Sequence, residues 1–320
     1  RHTLGAVFVL NHPKPLELGI PPVVPVAEAA HREGALLELD KHNWPWSMAI
    51  VPLMKVDLYE LANNHVWETQ FGFSEFGEPP ASYMGIERDR KGMTERGWWD
   101  FGFQNYYALL NCGFRLRPTA GTASGVHPVP LGFGRVYVKL ERPFSLTTWL
   151  EGLNAGRSFV TTGPLAMITL DGNDPGCLLK ASDVGGTHKL QGRILSTHPI
   201  QLVEVVVNGE PGRLEAHSEP SGHGGYSTTI QHTIRRSGSC WVAVRCFERQ
   251  PDGRMRYAHT APFFVDDPAH PVRPRKVEVE YLIERVEKEL ARSAAVLPQA
   301  AIDEYRVALR TYQDLLKTAR

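Results

Sequence analysis

The sequence predicts an α/β layer, then an all-β sandwich of immunoglobulin-like size, then a closing helical hairpin. Before residue 165 an amphipathic helix, a glycine and an apolar strand follow one another three times. From 166 to 267 strand-like runs succeed each other at short spacing, and 275–320 carry two apolar stripes at helical spacing. The expected domains are therefore 1–165, 166–267 and 275–320.

The chain opens at Arg1 with LGAVFVL, residues 4–10, already resembling a core strand, so upstream sequence is expected. Val26–Glu33 then leads through Gly34 to ALLELD, Gln104–Cys112 through Gly113 to FRLRPT, and Leu146–Ala155 through Gly156 to RSFVTT. A glycine just past a helix relieves the left-handed turn that ends it. Repeated helix–Gly–strand units argue for parallel strands. Ser145 is the expected N-cap of the third helix. Residues 68–103, rich in glycine and aromatics, read as a long excursion over one face, a functional loop or lid.

Beyond Ala166, Asn208-Gly209 signals a two-residue hairpin. Pro268 to Pro274 reads as a stiff linker. Val279, Leu282, Ile283, Val286 and Leu290 form one helical stripe, and Ile302, Tyr305, Leu309, Tyr312 and Leu316 the other, with Pro298 at the join.

The bulk numbers narrow the function. Lysine plus arginine and aspartate plus glutamate number 35 each among 320 residues, and no basic run is present, so a nucleic-acid partner is not expected. The longest apolar stretch, around Ala49–Met54, is short and broken by Pro52, far below the roughly 20 residues that span a bilayer. A soluble protein acting on a small molecule is the expectation; compartment and oligomeric state stay open. Cys112, Cys177, Cys240 and Cys246 follow no metal or redox spacing and read as unpaired thiols.

ALLELD and VDLYEL deliver His42 and Glu60 where each run gives out, and strand carboxyl ends are where α/β proteins place their chemistry. His42 either caps its strand or binds a metal. Glu60, inside an apolar strand, needs a partner, because an unpaired buried carboxylate is costly. A metal, an arginine or Lys41 would serve. The loop Thr119–His127 offers backbone N–H groups to an anion or is simply a tight turn. Arg135 and Arg157 stand beside glycines and either bind a carboxylate or pair structurally. His12 and His65 read as loop histidines. No nucleophile elbow, P-loop or dinucleotide fingerprint occurs.

GALLELDKHNWPW, VDLYELANNHVW, NYYALLNCGFRLRPTAGTASG, LGFGRVYV and GRSFVTTGPL, taken in that order, resemble the CehA/McbA-type metallohydrolases. These are a branch of the polymerase-and-histidinol-phosphatase (PHP) superfamily, and the resemblance runs from Arg1 to about Pro262. It implies a partial, distorted β/α barrel. It further implies a divalent metal (zinc, manganese or iron) that activates water against an ester, amide, carbamate or phosphoester. On that resemblance His42 and Glu60 are metal ligands, and His2 matches a further ligand histidine. Trp44, Trp46, Asn64, Arg135 and Arg157 would line the substrate pocket. Two departures stand out. The family's His-x-His strand would lie upstream of Arg1, and its Ser-Asp-x-His motif aligns with GTASG, placing Ala123 and Gly125 at ligand positions. The expectation is a reduced site, or a catalytically silent relative that binds a saccharide or a protein.

Overall fold

Val7–Leu10 (β1), Leu36–Leu39 (β2) and Leu58–Ala62 (β3) build the sheet that carries the strand ends in question. The structure, a computed structural model, describes residues 7–16, 22–67, 78–90, 92–123, 125, 128–181 and 186–320. It is a mixed α/β protein with its strands in several sheets, and no sheet closes into a barrel among the described residues. Two compact units divide it: Arg1–Glu60 with Phe73–Leu116 and Arg273–Arg320, and Leu61–Gly72 with Arg117–Val272.

In the first unit β2 and β3 are parallel, with Glu38 opposite Leu58 and Leu39 opposite Tyr59. β1 is antiparallel to β2. Helix α1 (Val24–Arg32) leads into β2, and Gly34 with φ of 79° makes the left-handed exit that the sequence predicts. Its first turn has no cap of its own. The Glu304 carboxylate accepts from Val23 N–H at 2.7 Å and Val24 N–H at 2.8 Å, satisfying donors that a helix start leaves orphaned. Helix α2 (Ser47–Met54) links β2 to β3 and tolerates Pro52 over its short length.

Helix α3 (Glu95–Asn111) begins nine residues before the predicted start, so the expected excursion to 103 is cut short. Glycines and aromatics in GWWDFGF suggested a loop, yet Thr94 caps the helix by accepting from Gly97 N–H at 3.0 Å. A Cβ on Gly97 would sit 2.1 Å from the Glu87 carbonyl oxygen, so that glycine serves close packing. Ahead of α3, Arg88–Asp89 (β4) and Gly92–Met93 (β5) form a small hairpin.

The second unit contains Arg117–Ala120 (β6), whose neighbour Gly121 donates to Ala62 O at 2.9 Å. Arg135–Val138 (β7), helix α4 (Leu146–Asn154, capped by Ser145) and Ser158–Thr161 (β8) follow. The third helix–Gly–strand unit does not join a parallel layer: β8 pairs antiparallel with β7 and with Met255–Thr260. Its local pattern matches the other two, but its edges are taken by all-β neighbours. The remaining strands are Leu165–Leu170 (β9), Leu178–Lys180 (β10), Thr187–Ser196 (β11), Ile200–Val207 (β12) and Glu210–Leu214 (β13). Ser218–Pro220 (β14), Tyr226–Arg235 (β15), Cys240–Arg249 (β16), Met255–Thr260 (β17) and Phe263–Asp266 (β18) complete them. One sheet contains β7, β8, β10, β12, β13 and β16–β18; the other runs β14-β15-β11-β9. Ile168, Leu190, Ile230, Val205, Val244 and Phe263 come from both and share one core. Asn208 and Gly209 turn with φ of 49° and 87° between paired Val207 and Glu210, the expected hairpin. All four cysteines are unpaired.

Two helices near the C-terminus, α5 (Lys276–Ser293) and α6 (Gln299–Leu316), belong to the first unit. Tyr312 donates to Met48 O at 2.7 Å, and Asn111 donates to the buried Glu278 carboxylate at 3.0 Å. The sequence set domain limits at 165 and 267; the compact units instead group 117–165 with the sheets and the two helices with the N-terminal part.

Candidate functional site

Strand alternation sets the chemistry at the ends of β2 and β3. Glu38 and Asp40 lie two residues apart and share a face, and the parallel register carries Glu60 beside Asp40. All three are buried, at 7%, 3% and 5% exposure. Lys41, also buried, places Nζ 2.7 Å from Asp40 Oδ1 and 3.5 Å from Glu60 Oε2. Of the three partners the sequence left open for Glu60, Lys41 is the one found.

Burial raises Glu60 well above the usual carboxylate range, Lys41 opposes the rise, and Glu38, Asp40 and a hydrogen bond with Asp40 reinforce it. Glu60 Oε2 is buried and in no hydrogen bond, 3.5 Å from Lys41 Nζ.

His42 faces elsewhere. Its ring stacks on Tyr59 at 5.6 Å between centroids with the planes 17° apart, and Trp98 and Phe101 of α3 complete an aromatic box. Gly102 lies over the ring, where a Cβ would meet Nε2 and Cε1 at 3.2 Å. Tyr59 and Glu60 are consecutive on β3 and point to opposite faces. No hydrogen bond joins the His42 ring to Glu60, and the ring's stacking partner and the Glu60 carboxyl occupy opposite faces of β3. Burial, then the charges of Arg285 and Lys41, push His42 down to about 3, so it is a neutral imidazole. Both ring nitrogens are buried without a hydrogen bond.

Arg285 of α5, unremarked in the sequence, organises the loop after β2. Its Nη2 donates to Trp44 O at 2.5 Å and to His42 O at 3.4 Å, and its Nη1 to Tyr281 Oη at 3.1 Å. It sits at a gap in the α5 stripe, so periodicity had no means of singling it out. Glu38 and Asp40 were missed for another reason. ALLELD reads as an apolar run, although its E-x-D alternation marks one polar face.

The other expected residues are dispersed. Trp44 meets Trp46 edge-on at 5.3 Å, and Trp46 is 4% exposed, core rather than pocket wall. Asn64 is buried in a turn of the second unit, just past Asn63, whose side chain accepts from His65 N–H. Arg135 and Arg157 also belong to the second unit, on β7 and just before β8. His2 lies outside the described residues, as do Ser124, Val126 and His127 of the small-residue loop; Ala123 and Gly125 have φ of 49° and 88°.

Carboxylate oxygens are the donors that hard and borderline divalent ions accept. Glu60 Oε2 is buried, in no hydrogen bond, and shares the Lys41 ammonium with Asp40, so the pair fits such an ion in donor type. Among the described residues no group of three or more histidine, cysteine, aspartate or glutamate side chains is arranged to hold one. Compared with known family models and curated proteins, the chain has no match.

Proposed function

We propose that the carboxyl ends of β2 and β3 form the site of a metal-dependent hydrolase acting on an ester, amide, carbamate or phosphoester. The observation that carries this reading is the burial of Glu38, Asp40, Lys41 and Glu60 together at neighbouring parallel strand ends, with burial pushing the Glu60 carboxyl well above the usual range. Burying ionisable groups is expensive, and strongly shifted carboxyls concentrate at functional sites. Asp40 and Glu60 would hold the ion, zinc, manganese or iron. When bound, such an ion lowers the pKa of water enough for attack at neutral pH.

The chain's own residues do the rest. Asp40 and Glu60 share a hydrogen bond, Lys41 stands close to both and limits their mutual repulsion, and the nearby Glu38 adds to the forces that raise Glu60. His42 takes a positioning role. Neutral and boxed by Tyr59, Trp98 and Phe101, it sets the loop whose carbonyls Arg285 grips.

A second reading is favoured by one contact. The Lys41 ammonium already stands between Asp40 and Glu60, supplying an internal cation, as suits a catalytically silent protein that binds a saccharide or a protein.

The test is elemental analysis of the purified chain after incubation with zinc or manganese, alongside hydrolysis of nitrophenyl ester and phosphodiester probes. The hydrolase reading expects stoichiometric metal and chelator-sensitive turnover, both lost in Asp40→Asn and Glu60→Gln. Metal-free protein without turnover supports the binding module instead.

A further inference from the structure

We propose that the second unit carries a separate binding site for a small, flat, apolar carboxylate, in a cleft between the free edges of its two sheets. β7 ends one sheet and β9 ends the other, and a cavity of about 430 Å³ opens between them. That size matches a small organic ligand. Asp40 and Glu60 take no part in it.

One side is an aromatic platform. Tyr137 and Phe159 are cross-strand partners whose rings stack at 5.2 Å with only 11° between planes, and Tyr137 remains 41% exposed. Met167, 48% exposed, faces it from β9 with Leu165. Flat rings and a soft thioether select a planar apolar body.

The polar groups are few and unspent. Ser158 is 3% exposed, lines the cleft, and its Oγ is buried with no hydrogen bond. Ser158 alternates with Phe159, which packs towards the core shared by the two sheets, so its hydroxyl is turned away from the aromatic platform. Next to it, Arg157 has its Nε buried and likewise without a hydrogen bond, and among the described residues its ion-pair partner is the exposed Glu141 at 3.6 Å, which does not line the cleft. The other charges at the rim cancel: Lys139 Nζ lies 2.7 Å from Asp174 Oδ1. The local balance thus leaves one guanidinium for an anion. A carboxylate suits it, because the guanidinium fork matches carboxylate geometry.

The whole chain is titrated with 2-naphthoate and, in parallel, with its uncharged analogue 2-naphthalenemethanol, by calorimetry and ligand-observed NMR. Saturable binding of 2-naphthoate with Kd below about 1 mM is expected. Arg157→Met should weaken 2-naphthoate by about tenfold or more while leaving the alcohol unchanged. Tyr137→Ser, an exposed position that spares the fold, should weaken both. Absence of saturable 2-naphthoate binding to the wild-type chain overturns the proposal, and so does an Arg157→Met variant, folded by circular dichroism, that binds it as tightly as wild type.

Discussion

The imidazole of His42 stacks on the ring of Tyr59, 5.6 Å between centroids, and this contact decides which side of β3 the histidine serves. Tyr59 precedes Glu60, so the ring stack and the carboxyl group occupy opposite faces of one strand. An imidazole so enclosed is neutral, and the acid branch of stability follows from it.

In the folded protein His42 titrates at about 3, against about 6.5 in an unfolded chain. The unfolded state binds the proton first, so the neutral ring's contribution is intact above pH 6.5 and is lost as pH falls towards 3. His42→Phe keeps the aromatic packing and removes the proton. Urea unfolding at pH 7 and pH 4.5 should show a smaller acid loss for the variant, by on the order of 2 kcal/mol. Equal acid losses would mean that the ring is hydrated.

Glu60 acts in the opposite sense. Its folded pKa is raised, so folding is favoured while the side chain is neutral and is penalised as pH climbs above the unfolded value of 4.5. Glu60→Gln should therefore gain stability relative to wild type between pH 5 and pH 8 in metal-free buffer. A variant that loses stability over that range would show Glu60 ionised and paired with Lys41.

Lys41→Met removes the ammonium from between Asp40 and Glu60. Leaving buried carboxylates without their partner costs about 3–5 kcal/mol. Added manganese should restore more of the melting temperature in this variant than it adds to wild type, because the cation then replaces the lysine. A melting temperature insensitive to manganese would remove the carboxylate pair as a cation site.

Gly102→Ala drives a methyl group to 3.2 Å from the His42 ring, which also stacks on Tyr59. Overpacking of this kind costs about 1–3 kcal/mol. The variant should also shift tryptophan fluorescence, since Trp98 walls the same box.

Glu304→Ala leaves the N–H groups of Val23 and Val24 without acceptors at the start of α1. A loss of about 1–2 kcal/mol is expected, the usual worth of a helix cap, with faster amide exchange confined to the first turn of α1.

Local rules carried much of the chain from the sequence alone. Gly34 and Gly156 end helices with positive φ as expected, Ser145 caps α4, and Asn208-Gly209 turns a hairpin, because each depends on a few adjacent residues. The need of Glu60 for a partner was also legible, since it follows from the cost of burying charge. Tertiary structure alone decided the remainder. Thr94 and the close approach of Glu87 to Gly97 turned an apparent loop into the start of α3, and antiparallel neighbours drew β8 out of the α/β pattern. The pairing register of β2 with β3 set Glu38, Asp40 and Glu60 on one face, while the aromatic side chains of α3 drew His42 to the other. Sequence order carries identity and spacing; which face a side chain serves depends on what packs against its strand, and that is a long-range property.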